Sequence, residues 1–255
     1  MPLIDLSAPI EPSSPELPEP LRVEIEYADH AAGAQLIETL FGVPPRLLRD
    51  GEGWANDEFR RLGTHNSTHV DAPWHYNSTI RGEPAKRIDE LPLEWFFADA
   101  VKLSMLRRDD GEAVTAADVE AELKRIGHRL KPLEIVVVNT RAGSAYGTPD
   151  YVAAGAGMGR EATLYLLEQG VRVTGTDAWS WDAPFVHTKE KFIKSGDASL
   201  IWEGHKAGRD IGYCHLEKLH NLEALPADGF TMACFPVKIR GASAGWTRAV
   251  AILDG

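Results

Sequence analysis

The pattern of apolar and polar positions along the chain predicts several strands. The segment EIVVVNT (134–140) is apolar and β-branched over almost its whole length, as expected of a strand buried on both faces. VRVTGTD (171–177), FTMACFPVKI (230–239) and WTRAVAIL (246–253) have the composition of further strands. LIDLSAPI, within residues 2–10, predicts a short strand near the N-terminus.

Two helices are marked by their ends as well as by their composition. Thr115 has the character of an N-cap, because Asp118 follows three residues later and the segment VEAELKRI comes next. Gly127 can end that helix. REATLYLLEQ (160–169) predicts a second helix, which a glycine also ends, whereas residues 31–50 show no clear pattern. The order of elements indicates a mixed α/β chain with two or three helices.

The organisation of the chain is predicted to be simple. Its 255 residues suffice for one sizeable domain, and no internal repeat divides them, so we expect a single domain over 1–255. The prolines between Pro12 and Pro20 lack the backbone donors that regular structure needs. Residues 11–20 are therefore predicted to form a loop or an arm.

Composition and charge exclude some classes of partner. The hydrophobic content of 44% is ordinary for a packed protein, and a net charge of -11 disfavours both nucleic acid and an anionic membrane surface. Cys214 and Cys234 are too few for a disulfide framework or a cysteine metal site. The first residues do not resemble a signal peptide and no run of 18 apolar residues occurs, so we expect a cytoplasmic protein.

The most informative segment is GTHNSTHVDAPWH, residues 63–75. It places His65, His69, Asp71 and His75 at odd positions, so that a strand would project them all to one face. A helix would also bring the first two histidines together, but the residues between them are poor helix formers and the following proline would break it. We therefore predict a strand that ends near the proline and then turns.

This residue pattern suits a metal centre. Two imidazoles and a carboxylate on one face are ligands for Zn²⁺ or Mn²⁺, and three protein ligands leave positions open for water and substrate. The ion would lower the pKa of its bound water toward about 7 and so provide a hydroxide nucleophile. We predict His65, His69 and Asp71 as ligands and His75 as the residue that transfers a proton.

The same segment resembles a known family motif. Residues 65–75 are similar to the HxGTHxDxPxH motif of the metal-dependent cyclase family, which includes bacterial kynurenine formamidases and isatin hydrolases, although Ser67 stands where the family usually has glycine. IDLSAPI, VRVTGTDAWSWD, HLEKLHNLEALP and PVKIRGASAGWTRAVAIL resemble four further family segments. The resemblance implies an α/β fold: a swivelling β/β/α domain with a β-barrel-like core and helices packed outside. It also implies a homodimer or homotetramer, in which we expect the arm at 11–20 to pack on a neighbouring subunit.

The resemblance implies a second metal ion as well. In two-metal members, the aspartate of the motif bridges to an ion that also binds a histidine and a glutamate twelve residues apart. His205 and Glu217 have that spacing, so one or two Mn²⁺ or Zn²⁺ ions are expected. His215 shares strand parity with Glu217 and is an alternative to His205, although we favour a histidine on the surface or behind the ligands.

The substrate is left open by the sequence. Trp179 and Trp181 could line an aromatic pocket for a small molecule, or belong to the core or a subunit interface. The resemblance implies hydrolysis of an amide, cyclic amide or lactone bond, as in an arylformamidase or isatin hydrolase. Metal-assisted cyclisation or dehydration, and a non-catalytic metal-stabilised binder, are the alternatives.

Overall fold

Residues 1–14, 17 and 19–253 are described by a computed structural model of the chain. Contacts between residues divide the chain into a larger unit, Met1–Pro9 with Ser67–Gly255, and a smaller unit, Ile10–Asn66. The prediction of one domain over 1–255 stays a prediction. Within the predicted arm, residues 11–14 have no regular structure, the last two residues begin a short 3-10 helix (Glu19–Leu21), and Pro15, Glu16 and Pro18 lie outside the described residues.

Strands and short helices alternate along the described residues. The strands are β1 (Leu3–Asp5), β2 (Glu24–Glu26), β3 (Glu58–Arg61), β4 (His69–Asp71), β5 (Thr79–Ile80), β6 (Glu83–Pro84), β7 (Phe97–Ser104), β8 (Ala113–Val114), β9 (Ile135–Asn139), β10 (Gly157–Met158), β11 (Val173–Thr176), β12 (Cys214–Glu217), β13 (Phe230–Ala233), β14 (Ala244–Trp246) and β15 (Val250–Leu253). The α-helices are α1 (His30–Phe41), α2 (Pro73–Tyr76), α3 (Ala116–Ile126), α4 (Ala142–Ala145), α5 (Arg160–Glu168), α6 (Phe185–Ser195) and α7 (Glu203–Ala207), and short 3-10 helices occur elsewhere in the chain.

One nine-stranded sheet organises the larger unit. Its strand order is β1-β15-β13-β7-β9-β11-β12-β4-β14. The central strands from β7 to β12 are parallel, and the strands on either side of them pair antiparallel. The sheet curls into a half-barrel with helices packed against it, which confirms the α/β fold that the family resemblance implied.

Both faces of the sheet are covered by apolar side chains at its centre. On β9, Ile135 and Val137 belong to one buried cluster, whereas Val136 and Val138 belong to a second. Every residue of this strand is buried. The prediction of a strand buried on both faces is therefore confirmed.

Local capping explains the helix boundaries that were predicted. The Thr115 side chain accepts a hydrogen bond from the Asp118 N–H, and the Asp118 carboxylate accepts one from the Thr115 N–H. The helix α3 ends at Gly127, which has φ of 71°. The helix predicted over 160–169 is found as α5.

The smaller unit contains a helix that was not predicted. In it β2 pairs antiparallel with β3, and α1 covers residues within the segment 31–50 that showed no pattern. The Asp29 side chain accepts a hydrogen bond from the Ala32 N–H, and Gly42 ends the helix in the left-handed conformation. These caps are signals that an analysis of apolar periodicity passes over.

The motif segment differs from the predicted strand in its first half. The strand β4 begins only at His69, because Ser67 has φ of 54° and the backbone before it turns. A left-handed conformation favours glycine, which accounts for the glycine that the family motif usually has there. Beyond β4, Pro73 occupies the first position of α2, where proline is tolerated, so His75 lies on a short helix.

Candidate metal centre

Two neighbouring strands bring four polar side chains together. In the antiparallel pair of β4 and β12, His215 lies opposite Asp71 and Glu217 lies opposite His69. Side chains opposite each other on adjacent strands project to the same face about 4.5–5.5 Å apart. All four residues are buried, so this face of the sheet carries a polar cluster where an apolar layer would otherwise pack.

A fifth side chain reaches the cluster from α7. His205 is buried, and its Nδ1 hydrogen bonds to the carboxylate of Asp182. The same carboxylate accepts hydrogen bonds from the backbone N–H groups of Gly204 (2.7 Å) and His205 (2.9 Å). At Gly204 a Cβ would lie 2.3 Å from the Met158 carbonyl oxygen, so only glycine permits this close approach. Asp182 therefore fixes both the start of α7 and the ring of His205.

The polar atoms of the cluster are close enough to share one ion. Nε2 of His215 lies 3.0 Å from Asp71 Oδ2, 3.1 Å from His205 Nε2 and 3.5 Å from Glu217 Oε1. Nε2 of His205 lies 3.5 Å from Glu217 Oε1. Nε2 of His69 lies 3.3 Å from Asp71 Oδ1 and 3.7 Å from Glu217 Oε2. The structure thus brings together four of the five predicted ligands, namely His69, Asp71, His205 and Glu217.

The hydrogen bonds of two histidines determine which ring nitrogen faces the cluster. Nδ1 of His69 lies 2.9 Å from the Ser67 carbonyl oxygen, and Nδ1 of His205 contacts the Asp182 carboxylate. A carbonyl oxygen or an ionised carboxylate can only accept, so each Nδ1 carries the proton and each Nε2 presents a lone pair. This is the arrangement of metal-binding histidines, whose other nitrogen donates to an oxygen.

Charge also fits a divalent cation. The buried carboxylates of Asp71, Asp182 and Glu217 outnumber the one buried ammonium, that of Lys218, so that two formal negative charges stay uncompensated while the imidazoles are neutral. Burying uncompensated charge is costly, and a divalent ion supplies the compensating charge. The donor set of imidazole nitrogens and carboxylate oxygens is the one that Zn²⁺ and Mn²⁺ prefer.

The cluster perturbs the protonation of its own members. Burial lowers the pKa of His215, but hydrogen bonds to Asp71 and Glu217 outweigh burial and bring that pKa to about 9. Burial raises the pKa of Glu217, but Lys218 and the hydrogen bond with His215 hold it well below its usual range. A proton on His215 and a cation between the carboxylates are therefore two ways to neutralise the same buried charge.

His75 lies beside the cluster and is not enclosed by it. Its Nε2 is 3.9 Å from Asp71 Oδ2, longer than a hydrogen bond, and its side chain is 20% exposed. The ring of Trp202 lies 5.2 Å from that of His75 and stacks on that of His205 at 4.8 Å. Trp202 has φ of 58°, an uncommon conformation for a bulky residue that is often found at functional sites.

The two predicted substrate contacts have different surroundings. Trp181 is buried, donates its indole N–H to the Thr163 hydroxyl at 3.0 Å and stacks near His215. It packs behind the cluster. Trp179 is partly exposed, and the Lys218 ammonium lies 4.6 Å from its ring centre. The prediction that either tryptophan contacts a substrate stays a prediction.

Further positions were either predicted from the sequence or overlooked by it. His65 lies in the smaller unit, and its role as a ligand stays a prediction. His215 was expected on the surface or behind the ligands, and because it is buried the surface position is excluded. Asp182 and Trp202 were not predicted to be part of the site, because a tertiary contact with His205 connects them and no sequence spacing does. Burial raises the pKa of Cys214 well above its usual value, in agreement with a buried cysteine that is not a nucleophile.

Comparison with known proteins identifies the family. The family model described as "Putative cyclase" matches residues 4–183, which is more than half of the chain. The chain therefore belongs to this cyclase family, as the motif predicted.

Solved structures have the same fold. An isatin hydrolase bound to the product analogue thioisatinate superimposes with a TM-score of 0.76 at 20% identity, covering 99% of this chain and 92% of that one. Isatin hydrolase A from Ralstonia solanacearum gives 0.75 at 24% identity, with coverage of 99% and 92%. A structure described as a potential metal-dependent hydrolase with cyclase activity gives 0.63 at 17% identity, with coverage of 98% and 96%. At these identities the likeness establishes the fold alone.

Among the described residues, no helix is long and apolar enough to cross a membrane.

Proposed function

We propose that this chain is a metal-dependent hydrolase that cleaves an amide, cyclic amide or lactone bond of a small molecule. The observation that carries the proposal is the pair of buried histidines, His69 and His205, whose Nδ1 atoms are held by oxygen acceptors. Their Nε2 atoms face two buried carboxylates, Asp71 and Glu217. Such a donor set has little use in a protein that binds no cation.

The proposed ligands divide into two sets that share Asp71. By its place in the motif, His65 would join His69 and Asp71 in holding one ion. His205 and Glu217 would join Asp71 in holding a second ion, since the Nε2 of His205 lies 3.5 Å from the Glu217 carboxylate. We propose Mn²⁺ or Zn²⁺ for either position.

In the proposed reaction, the ion would activate water and substrate, and side chains of the protein would transfer the proton. When bound, a divalent ion polarises a carbonyl group and lowers the pKa of water. His75 is placed to move a proton, because its Nε2 is near Asp71 while its partly exposed ring stays in reach of a substrate. The stacked ring of Trp202 limits the motion of both His75 and His205. Histidine is the side chain that most often transfers protons in enzymes.

The aromatic surroundings of the site favour a flat substrate. Trp202 lies against His75, and Trp179 is partly exposed near Lys218. Isatin, an aromatic cyclic amide, is the substrate in the name of two structural neighbours, which makes that bond class the first to test. The family description and one neighbour also refer to cyclase activity, so a metal-assisted cyclisation or dehydration is the second candidate.

The test is metal analysis followed by a substrate screen. Protein purified without chelators should contain Zn or Mn near one or two ions per chain, and it should hydrolyse at least one of a set of N-formyl anilines, isatin-like rings and lactones. A chelator should abolish that hydrolysis, and Zn²⁺ or Mn²⁺ should restore it. Full activity without metal would refute the proposal, and product analysis would separate hydrolysis from cyclisation.

We further propose a homodimer or homotetramer in which the arm at 11–20 packs on a neighbouring subunit. The proline content of this segment supports the proposal, because it disfavours regular structure in the arm. Light scattering at micromolar concentration should give a mass of at least two chains. Deleting residues 11–20 should shift the mass toward the monomer, whereas a monomeric wild-type protein would contradict the proposal.

A further inference from the structure

His215 is a buried histidine to which the proposed reaction gives no role. Its Nε2 lies within 3.5 Å of one atom each of Asp71, His205 and Glu217. These four residues are buried, and each offers one ligand atom such that all four atoms lie within 4.8 Å of one another. The set therefore has one more donor than the three that the family motifs assign to the second ion.

The separations between these donors match one particular geometry. In a tetrahedral zinc site with bonds of about 2.0–2.1 Å, the ligand atoms are about 3.3 Å apart. The measured pairs are 3.0 Å for His215 with Asp71, 3.1 Å for His215 with His205, and 3.5 Å for Glu217 with each histidine. Four of the six edges of a tetrahedron thus have nearly the required length.

The ring of His215 is held in the orientation that this geometry needs. Tyr76 and Trp181 stack near it with ring centres 6.3 Å and 6.1 Å away and interplanar angles of 23° and 21°. Tyr213 lies 5.4 Å away. Because these rings are buried and packed, His215 cannot swing its Nε2 away from the cluster without displacing them.

We infer that His215 is the fourth protein ligand of the second ion, so that Asp71, His205, His215 and Glu217 form a closed tetrahedral zinc site. This inference rests on the proposed function, in which a second ion is bound. Zinc sites with four protein ligands are structural, whereas catalytic sites keep a position open for water. The second ion would then have a structural role, stabilising the sheet and the position of Asp71, and the first ion would be the one that serves the reaction.

His215 has one rival role in the same place. With its proton on Nε2, it would donate a hydrogen bond to Asp71 and bind no ion. As a ligand it carries the proton on Nδ1, which has no hydrogen-bond partner among the described residues. An unsatisfied buried donor is destabilising, but a zinc ion bound at a structural site stabilises the fold by more than one such donor costs.

Two variants of His215 distinguish its role as a metal ligand from its role as a hydrogen-bond donor to Asp71. His215→Gln keeps an amide donor for Asp71 and loses the imidazole, whereas His215→Glu keeps a ligand oxygen and loses the donor. We expect His215→Gln to weaken the second zinc ion by more than about 100-fold, the upper end for changes outside the ligand set, and His215→Glu to retain it more tightly. Affinity is read by zinc titration against a colorimetric chelator, with His220→Gln as the matched control that leaves both ions in place. The reverse order of the two variants would overturn the inference.

The wild-type protein gives a test that does not depend on the folding of a variant. A crystal structure of the zinc-loaded chain, with ions located by anomalous scattering, should place one ion about 2.0–2.1 Å from Nε2 of His215. In solution, cobalt substitution should give the intense visible absorption of tetrahedral cobalt. A second ion bound by Asp71, His205 and Glu217 with His215 outside bonding distance would overturn this inference and leave the proposed function standing, and so would a single ion at His69 and Asp71 with no second ion. A chain that binds no metal would overturn both.

Discussion

The strands β9 and β12 belong to one sheet and all residues of both are buried, yet one of their two faces differs in chemistry. Ile135 and Val137 of β9 pack in the same apolar cluster as Cys214 and Leu216 of β12. On the other face β9 places Val136 and Val138 in a second apolar cluster. On that face β12 carries His215 and Glu217 instead.

This difference locates function within an otherwise uniform core. Apolar burial stabilises the fold by itself, whereas buried carboxylates and imidazoles cost stability until their charges are compensated. A sheet with a buried polar face is therefore less stable than one with two apolar faces, unless a bound ligand such as a metal ion compensates the buried charges. The comparison predicts that changes on the polar face alter metal binding or rate, and that changes on the apolar face alter stability alone.

The sharpest test of this division is His75→Ala, beside the polar face. The variant should keep its metal and its melting temperature, because Nε2 of His75 lies 3.9 Å from Asp71 and the side chain is partly exposed. It should lose about 10²–10⁴-fold in rate, the usual contribution of a general acid or base. The measurement is kcat on a substrate found in the screen, together with the metal content of the purified variant.

A contrasting variant makes this result interpretable. His69→Ala should lose the first ion and the activity together, since its Nε2 faces both Asp71 and Glu217. If His75→Ala loses metal in the same way, His75 is a ligand. If it keeps full rate, the proton carrier is another residue.

On the apolar face, Leu216→Ala should reduce stability and leave metal affinity unchanged. Leu216 is fully buried, and removing such a side chain costs about 2–5 kcal/mol in the free energy of unfolding. The loss should be the same in urea titrations with zinc and with chelator. Leu93→Ala, at an exposed position, is the control and should change little. A selective loss of metal in Leu216→Ala would show that the two faces are not independent.

The strand centres and the motif ligands could be predicted from the sequence, because each depends on the types and spacing of residues that are close together in the chain. β9 is predicted by its run of β-branched residues, and His69 and Asp71 by their parity. The turn at Ser67 could not be predicted in this way, since nothing in the serine side chain requires a φ of 54°. Asp182 enters the site only through contacts with α7, which no spacing within the chain records.

Asp182 provides a test of the polar face with an effect of intermediate size. Asp182→Asn keeps the size of the side chain and removes the charge that holds Nδ1 of His205. Changes of this kind typically cost about 10–100-fold in metal affinity. A competitive zinc titration should show that loss for one ion, while Asp150→Asn, at an exposed position, should bind like the wild type. Unchanged affinity in Asp182→Asn would mean that packing alone orients His205.

A second group of histidine and carboxylates lies next to β9 and shows what such a group does outside the cluster. His128 has Nε2 3.0 Å from Glu134, the residue before β9, and Nδ1 3.0 Å from Asp228. Here one imidazole lies between two carboxylates, and the Asp228 side chain is 52% exposed. Water can therefore solvate the excess charge, and a proton on His128 is sufficient compensation.

This second group predicts the smallest effect, a pH dependence of stability. Burial lowers the pKa of His128, but hydrogen bonds to Glu134 and Asp228 outweigh it and raise the pKa above its ordinary 6.5. A pKa raised by folding adds stability that is complete below 6.5 and is lost as the pH rises through the folded value. With excess zinc to keep the other histidines bound, the melting temperature of the wild type should therefore fall over that range, and that of His128→Gln should fall less. Equal slopes for the two proteins would show that His128 is not protonated by folding, and that its carboxylate neighbours are compensated in another way.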